Sequence, residues 1–463
     1  MNRSARLALL PVLALAAQSG AVEILPDENY HDMQVYRPTG EVKDVVYLLA
    51  DQGTQEPAIA RLGERLARES TLVVRIDSAK LIGDLQKAKG NCVDLGSDFE
   101  GQSQYLQARY HLPTYHPPYF IGIGAGAAIT YALLAQAPTS TFAGVLSLDF
   151  CPELRIRTPL CRGDDLRTVA HAAAGSTELL PLTRSHTRWV VQPDTTGRQC
   201  DARSARTFVS RLPQSALITV RNGDTASPSD PDGSRVSEAI GQLFAHQAAV
   251  ATPASGEVAD LPLIEVLPQG ESTDTFALLL SGDGGWTGLD KDVAAALAAR
   301  GVAVVGWDSL RYFWKARTPE ELASDASRVI VHYGERWKKS HVLLLGYSQG
   351  ANVLPFLVNR LSKETRSKVS LVAMTGLGLE ADFEFHFANW AGASAKALAI
   401  LPEAARLGSP KAICIYGKED PESSCTQLDQ SRVQSIALTG GHHFNGDYGK
   451  VAEAILQAAT ARR

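Results

Sequence analysis

The chain repeats one pattern of strands and turns, and this internal duplication limits its fold more than any other sequence feature. Four segments of the first half match four of the second: Val45–Gly53 with Phe276–Gly284, Leu72–Leu81 with Val302–Phe313, Tyr119–Ala128 with Leu343–Asn352, and Trp189–Cys200 with Cys414–Cys425. The offset between matched residues is 231, 224 and 225 at three successive points (Asp77 with Asp308, Gly124 with Ser348, Cys200 with Cys425). One duplication with a small insertion in the first half explains these values.

Each half alternates buried strands with helices. In the second half, the apolar run ALLLSG ends in a Gly-rich turn and leads into the helical pattern DKDVAAALAARG, which is followed by the next strand, VAVVGW. This alternation predicts a mostly parallel sheet with helices on both faces. We therefore expect an α/β protein with two tandem domains, residues 22–250 and 263–463, joined by a linker over residues 251–262 that is rich in small residues and Pro.

Composition narrows the class of protein further. The 463 residues are 45% hydrophobic and 21% charged, which is typical of a chain with a packed core and excludes a disordered or coiled-coil protein. The formal net charge of −5 gives no electrostatic reason to expect a nucleic-acid ligand. No Cys or His cluster has the spacing of a metal site, so neither a metal nor another cofactor is predicted.

The N-terminus has the features of an export signal. Arg3 and Arg6 precede the apolar stretch Leu7–Ala17, and Ser19-Gly20-Ala21 offers small residues for cleavage after Ala21. We expect residues 1–21 to be a cleaved signal peptide; the alternative is an uncleaved anchor.

All six cysteines follow the export signal, and an even number in an oxidising compartment predicts up to three disulfides. The pairs Cys151–Cys161 and Cys414–Cys425 are preferred because each spans a short loop, although some of the cysteines are alternatively buried free thiols.

The strongest chemical motif is Gly346-Tyr347-Ser348-Gln349-Gly350. It lies between the strand HVLLL and the helical sequence ANVLPFLVNRL, which is the context of a nucleophile elbow in an α/β-hydrolase. Ser348 is therefore the candidate nucleophile, and the N–H groups of Gln349 and Asp283 are the candidate oxyanion-hole donors. The alternative is a Gly-rich turn without catalysis.

A serine nucleophile of this type requires a later acid and a later base. His442, directly after Gly440-Gly441, is the preferred base and His443 is the second choice. Asp420, after the strand AICIYG, is the preferred acid, followed by Glu419 and then Asp447. The alternative is that these residues are simply solvated loop side chains.

The first half lacks the nucleophile and the base. Gly124 occupies the position of the serine, and the segment that corresponds to the base, Thr219–Ala226, contains no His. We expect a non-catalytic copy with a structural, regulatory or partner-binding role. The sequence GIGAG does not have the spacing of a dinucleotide-binding loop, so no nucleotide cofactor is predicted.

The motifs SGDGGW, DSLRYFW, GYSQGAN and GGHHFNGDY resemble the AcvB/VirJ family of exported bacterial virulence proteins. The resemblance covers nearly the whole exported chain and is more specific in the second half. It implies two tandem α/β-hydrolase-like domains in the periplasm, peripheral to the inner membrane. It also implies that Ser348, Asp420 and His442 catalyse the hydrolysis of lysyl- or alanyl-phosphatidylglycerol. The partner is then an anionic phospholipid headgroup at the membrane surface. The N-terminal domain is expected to contact a secretion-system partner.

An aminoacyl ester carries an ammonium group, which favours a nearby carboxylate. Asp283 is one candidate for this carboxylate. Three others, Glu380, Asp382 and Glu384, lie in the segment Leu379–Trp390. Acids alternate with Phe in this segment, a pattern typical of a lid or of an extended edge of the core. The candidate substrate-binding residues are Gly284, Trp286, Tyr312 and Tyr347. Two other functions stay open: an exported esterase or thioesterase of different specificity, and a binding adaptor in a virulence or secretion assembly.

Overall fold

The structure is a computed structural model, and the part of the chain that it describes comprises residues 22–27, 31–51, 56–88, 92–137, 141–161, 166–171, 175–183, 187–193, 200–212, 217–219, 234–245, 257–385, 397–408 and 410–460. Within these residues the chain forms one large sheet in each half, and helices cover both faces of each sheet. The predicted signal peptide, residues 1–21, lies outside the described residues. No helix in the described ranges is both long enough and apolar enough to cross a membrane.

The sheet of the first half has the strand order β1-β2-β4-β3-β5-β6-β10-β11. The strand β2 is antiparallel to both of its neighbours, and the strands that follow it in the sheet are parallel. Its strands are β1 (Glu23–Asp27), β2 (His31–Tyr36), β3 (Asp44–Ala50), β4 (Thr71–Asp77), β5 (Tyr119–Ile123), β6 (Gly144–Phe150), β10 (Trp189–Pro193) and β11 (Leu217–Thr219). A small antiparallel sheet beside it contains β7 (Glu153–Leu154), β8 (Thr168–His171) and β9 (Ser176–Leu179).

The sheet of the second half has the order β12-β14-β13-β15-β16-β19-β20, in which the edge strand β12 is antiparallel and the others are parallel. Its strands are β12 (Leu263–Val266), β13 (Thr275–Leu280), β14 (Ala303–Trp307), β15 (His341–Tyr347), β16 (Val369–Thr375), β19 (Lys411–Gly417) and β20 (Val433–Leu438). A two-stranded pair, β17 (Glu380–Ala381) and β18 (Leu398–Ala399), lies outside it.

The helices of the first half are α1 (Glu56–Arg68), α2 (Ser78–Leu85), α3 (Leu95–Arg109), α4 (Ala125–Gln136), α5 (Ala202–Ser210) and α6 (Ser234–Ala245). The helices of the second half are α7 (Gly288–Ala298), α8 (Ser309–Phe313), α9 (Pro319–Trp337), α10 (Gln349–Arg360), α11 (Lys363–Ser367), α12 (Ile400–Ala404) and α13 (Tyr448–Thr460). The helix α9 begins with a capping box between Thr318 and Glu321 and carries Pro319 in its first turn, where the missing N–H costs nothing.

The two sheets share one topology, which confirms the predicted fold class and the duplication. Aligned on their central strands, both contain an antiparallel strand followed by six parallel strands in the same crossed order. This is the order of an α/β-hydrolase sheet. Alternate residues of each strand point to opposite faces, so Leu278 and Leu280 pack in one apolar layer of the second sheet and Ala277 and Leu279 in the other.

The predicted linker is only partly described, since residues 251–256 lie outside the described ranges. Residues 257–262 pack on the second domain. Val258 and Leu261 are buried in its core, and Arg328 forms an ion pair with Asp260 at 2.7 Å. The described part of the predicted linker therefore contacts the second domain.

Three disulfides join the six cysteines, all of which are described: Cys92–Cys161, Cys151–Cys200 and Cys414–Cys425. The predicted pair Cys414–Cys425 is confirmed, but Cys151–Cys161 is wrong. Cys151 follows β6 and Cys200 follows β10, and these strands are neighbours in the sheet. Cys161 instead meets Cys92, next to a short backbone bridge between Val93 and Leu160. For Cys151, the pairing thus follows the adjacency of the strands and not the length of the loop.

Candidate active site

The serine of the GxSxG motif is held in a strained backbone conformation. Ser348 stands between β15 and α10 with φ 50° and ψ −115°, a left-handed region that non-glycine residues seldom occupy. A Cβ atom at Gly346 would lie 2.5 Å from backbone atoms of Gly350, and one at Gly350 would lie 2.2 Å from the carbonyl oxygen of Leu280. Both glycines are therefore required for the turn, and together they present the Ser348 hydroxyl at the N-terminus of α10.

An imidazole and a carboxylate align with this hydroxyl. His442 Nε2 lies 3.1 Å from Ser348 Oγ, and His442 Nδ1 lies 2.9 Å from Asp420 Oδ2. The Asp420 side chain is 3% exposed and that of His442 is 34% exposed, so the carboxylate is shielded while the imidazole reaches the open side of the site. The array allows proton transfer from the hydroxyl to Nε2, with Asp420 orienting the ring through Nδ1.

The alternatives from the sequence have other positions. Glu419 is exposed, and its backbone N–H bonds to the carbonyl oxygen of Gly440. Asp447 forms an ion pair with Lys450. His443 Nδ1 lies 2.9 Å from the Tyr347 hydroxyl, and burial beside His442 lowers the pKa of His443. Only Asp420 and His442 of these candidates therefore lie in line with the serine.

A tight turn lies beside Ser348 and carries two backbone N–H groups outside its own hydrogen bond. Gly285 N–H bonds to the Gly282 carbonyl oxygen at 3.1 Å, so Asp283 and Gly284 are the central residues of the turn, and their N–H groups lie outside its hydrogen bond. A Cβ atom at Gly282 would lie 3.6 Å from Ser348 Cβ, which shows how closely the turn approaches the serine. The N–H of Gln349, in the first turn of α10, has no acceptor within the helix. These amides are suitably placed to receive a carbonyl oxygen.

Gly376 is a site residue that sequence reasoning missed. It follows β16 with φ +66°, and a Cβ atom there would lie 2.9 Å from His442 Cε1. The absence of a side chain therefore makes room for the imidazole. A glycine directly after the buried strand LVAMT, at the sheet edge that carries the serine, is the signal that identifies this position.

Comparison with known proteins identifies the second half. Residues 274–463 match the family model described as bacterial virulence protein (VirJ). This part of the chain is therefore similar to the VirJ family. Over this range the predicted resemblance to the AcvB/VirJ family is confirmed. No curated protein matches the chain in sequence.

Solved structures resemble this chain only distantly. An alpha-beta serine hydrolase homologue from Coxiella burnetii is 16% identical, with 42% of this chain and 89% of that chain covered and a TM-score of 0.31. Est1E from Butyrivibrio proteoclasticus is 14% identical, with 43% and 94% covered and a TM-score of 0.32. The thioesterase domain from the curacin biosynthetic pathway is 15% identical, with 42% and 94% covered and a TM-score of 0.30. Scores this low carry no argument about activity.

Two of the predicted substrate-binding side chains lie in the core of the second domain instead. Tyr312 is 1% exposed, its hydroxyl donates a 2.8 Å hydrogen bond to Asp325, and its ring packs edge-on against Trp307. Trp286 is 8% exposed and covers Gly306, where a Cβ atom would clash with its ring at 2.5 Å. Both aromatic side chains are therefore buried and pack beneath the site. Tyr347 directly precedes the serine, and Gly284 lies in the turn beside it.

The acidic and aromatic segment after β16 lies close to Ser348. The Gln349 side-chain amide donates a hydrogen bond to the Asp382 carbonyl oxygen, which ties the segment to the residue after Ser348. Glu380 is exposed, and Glu384 is partly buried. The Phe385 ring stacks on Trp314 at 5.2 Å. The rest of the predicted lid, from residue 386 to residue 390, lies outside the described residues.

The first domain reaches the same site through α3 and the turn after it. Trp314 Nε1 donates a 2.7 Å hydrogen bond to the carbonyl oxygen of Leu112, and the Tyr115 ring packs against Trp314 at 5.3 Å. Glu100, on α3, approaches the turn that faces Ser348: a Cβ atom at Gly284 would lie 3.2 Å from Glu100 Oε1. Residues from both halves of the chain thus line the site. Neither half of the repeat predicts this contact from its own sequence.

The degenerate elbow of the first domain keeps its shape. Gly124 has φ 62° and ψ −119° and stands at the start of α4, as Ser348 stands at the start of α10. A cavity of about 350 Å³ lies beside it and is lined by Asp51, Ala125 and Arg155 among others. With glycine in place of serine, this elbow has no hydroxyl to act as a nucleophile.

Proposed function

We propose that the second domain is a serine hydrolase that cleaves the aminoacyl ester of aminoacyl-phosphatidylglycerol to phosphatidylglycerol and the free amino acid. The observation that carries the proposal is the alignment of the Ser348 hydroxyl, the His442 imidazole and the Asp420 carboxylate, with contacts of 3.1 and 2.9 Å. The backbone amides of Gln349 and Asp283 lie beside this array. Ser348 is the nucleophile, His442 the general base and Asp420 the residue that fixes the imidazole tautomer.

In the first half of the reaction, Ser348 Oγ attacks the aminoacyl carbonyl carbon while His442 Nε2 takes the hydroxyl proton. The carbonyl oxygen becomes an oxyanion, which the N–H groups of Gln349 and Asp283 bind. The bond between the carbonyl carbon and the glycerol oxygen of the lipid then breaks. That oxygen takes the proton from His442, so phosphatidylglycerol leaves with a neutral hydroxyl group. The amino acid remains bound to Ser348 as an ester.

In the second half of the reaction, water replaces the lipid alcohol. His442 takes one proton from the water, and the hydroxide oxygen attacks the acyl carbon. The bond to Ser348 Oγ breaks, and the proton returns from His442 to the serine. One water molecule is consumed, and one carboxylic acid and one alcohol are produced, so no oxidant, metal or other co-reactant is required.

The choice of an aminoacyl lipid rests on the family and on the charge of the site. The VirJ-family match covers residues 274–463, and the resemblance of its motifs implies this substrate class. Asp283 gives the turn beside Ser348 a negative charge that suits the ammonium of an aminoacyl group. A location in the periplasm is supported by the three disulfides within the described residues and by the predicted signal peptide at residues 1–21.

The test uses the exported full-length protein and vesicles that contain lysyl- or alanyl-phosphatidylglycerol. We expect the wild type to release the amino acid and to be labelled by a fluorophosphonate probe, and Ser348→Ala to do neither. Ser367→Ala, which changes an exposed serine on α11, is the matched control and should retain both properties. Labelling without release from either lipid would leave a serine hydrolase of different specificity, and full activity in Ser348→Ala would overturn the mechanism.

A further inference from the structure

We infer that Glu100, contributed by the first domain, is a specificity-determining residue that binds an ammonium group of the acyl part of the substrate. This inference rests on the proposed function of the second domain. It assigns the degenerate first half a direct role in substrate selection.

The position of Glu100 is the first argument. Its carboxylate oxygen Oε1 lies so close to Gly284 that a Cβ atom there would be 3.2 Å away. Gly284 belongs to the same turn as Gly282, which faces Ser348 Cβ. Consecutive Cα atoms are 3.8 Å apart, so the two glycines are separated by less than about 8 Å. The carboxylate therefore stands within the reach of an acyl group that is attached to the serine.

The lack of a partner is the second argument. Among the described residues, no hydrogen-bond donor and no cation contacts the Glu100 carboxylate, and the charged groups that surround it are the carboxylates of Asp283 and Asp94. A carboxylate in such a place is costly unless a cation or a donor accompanies it. The missing partner is positively charged, and the substrate of the proposed reaction brings such a group into this cleft.

The surroundings of Glu100 are those of a residue that lines a cleft. The carboxyl group is enclosed by protein atoms, yet the residue remains partly accessible to solvent. Burial next to Asp283 and Asp94 raises the pKa of Glu100 to about 8, as expected for an acid whose counter-ion is absent. A bound ammonium group lowers this pKa and leaves the carboxylate ionised.

The contact between the domains holds Glu100 in place. Trp314 of the second domain bonds to the Leu112 carbonyl oxygen and packs against Tyr115, and both of these residues follow the helix that carries Glu100. Glu100 belongs to a helix of 15 residues, and this contact fixes the segment that follows the helix against the second domain, beside the turn at Gly284. Such a rigid support is what a specificity residue requires.

The experiment compares Glu100→Gln with the wild type on four soluble p-nitrophenyl esters that differ only in the charge of the acyl group. The alanyl ester has a proximal ammonium, the 6-aminohexanoyl ester a distal one, the lysyl ester both, and the acetyl ester none. Asp98→Asn, an exposed acid two residues away on the same helix, is the matched control. Thermal unfolding of each variant checks that the fold is retained.

We expect Glu100→Gln to lower kcat/KM about 10- to 100-fold on the lysyl ester and on at least one of the two esters that carry a single ammonium. The loss should come mainly from a higher KM, because the substrate ammonium loses a charged hydrogen-bonding partner. The acetyl ester should change less than about twofold, and Asp98→Asn should behave as the wild type on all four. The alanyl and 6-aminohexanoyl esters identify which ammonium Glu100 receives.

An equal loss on the acetyl ester would mean that Glu100 is merely structural, and an unchanged preference for cationic esters would mean that it does not bind the ammonium. Either result overturns the inference. The failure of this inference is distinguishable from the failure of the proposed function. If the wild type prefers cationic soluble esters through Glu100 but releases nothing from aminoacyl-phosphatidylglycerol, only the lipid assignment is contradicted.

Discussion

Ser348 and Gly124 have nearly the same backbone conformation, φ 50° and ψ −115° for the serine and φ 62° and ψ −119° for the glycine. The duplication thus preserved the elbow in both halves, but only the second half holds a side chain there. A non-glycine residue in this region costs of order 1–3 kcal/mol. The strain is therefore retained where a hydroxyl is needed at the end of the strand and is absent where the nucleophile has been lost.

The first prediction follows from this strain. Ser348→Gly and Ser348→Ala both remove the nucleophile, and both should abolish ester hydrolysis. The glycine variant should nevertheless unfold about 2–4 °C higher than the alanine variant, because relief of roughly 1 kcal/mol of backbone strain shifts the Tm of a domain of this size by that amount. Differential scanning calorimetry measures the difference. Equal Tm values for the two variants would show that the elbow is not strained.

The second prediction concerns the space that Gly376 leaves for the base. Gly376→Ala places a Cβ atom 2.9 Å from His442 Cε1, so the imidazole must move away from Ser348. We expect a loss of about 100-fold in kcat, the size of effect that a displacement of about 1 Å produces in a catalytic group.

Gly270→Ala is the control for Gly376→Ala. Gly270 also has a positive φ, +85°, but a Cβ atom there has no neighbour within 4 Å. Both variants should lose similar stability through the backbone, while only Gly376→Ala should lose activity. Comparable kcat values for the two would mean that the ring does not depend on Gly376.

The third prediction separates the two candidate acids. Asp420→Asn removes the charge that bonds His442 Nδ1 at 2.9 Å and favours the wrong tautomer of the ring, so kcat should fall about 10³- to 10⁴-fold. Glu419→Gln changes the adjacent, exposed acid and should leave kcat within about threefold of the wild type. Steady-state hydrolysis of a p-nitrophenyl ester measures both. The reverse ranking would assign the orienting role to Glu419.

Local patterns in the sequence predicted the features that local chemistry decides. The GxSxG elbow, the two-domain α/β architecture and the Cys414–Cys425 disulfide depend on short segments whose glycines, apolar runs and spacing are visible in the chain. The alignment of His442 and Asp420 with the serine follows from their positions after neighbouring parallel strands, β19 and β20, whose carboxyl ends meet at one edge of the sheet.

Features that depend on distant packing were not predictable in the same way. Cys161 pairs with Cys92 and not with Cys151, because a bridge between two loops brings the first pair together. Tyr312 follows a strand that ends at the edge of the site, but its side chain points into the core. There its hydroxyl donates a hydrogen bond to Asp325. Glu100 is separated from Gly284 by more than 180 residues, and only the docking of one half against the other places it in the cleft.

The fourth prediction is a pH dependence of stability that Glu100 causes. Its pKa is about 8 in the folded protein and about 4.3 in an unfolded chain. Between these values the unfolded chain has released the proton and the folded protein still holds it, so the folded state binds more protons and the free energy of unfolding falls as the pH rises. Above about pH 8 both states are ionised, and this loss is complete.

Glu100→Gln removes this contribution, so the Tm of the variant should rise relative to the wild type as the pH increases from about 5 to 8 and then stay level. We expect a relative gain of at least about 2 °C at pH 8, which corresponds to roughly 1 kcal/mol for a domain of this size. Other buried acids, such as Asp290 and Asp308, titrate equally in both proteins and cancel in the difference. Parallel Tm profiles would mean that Glu100 is ionised in the folded protein throughout this range, as it would be if a cation of the protein itself were its partner.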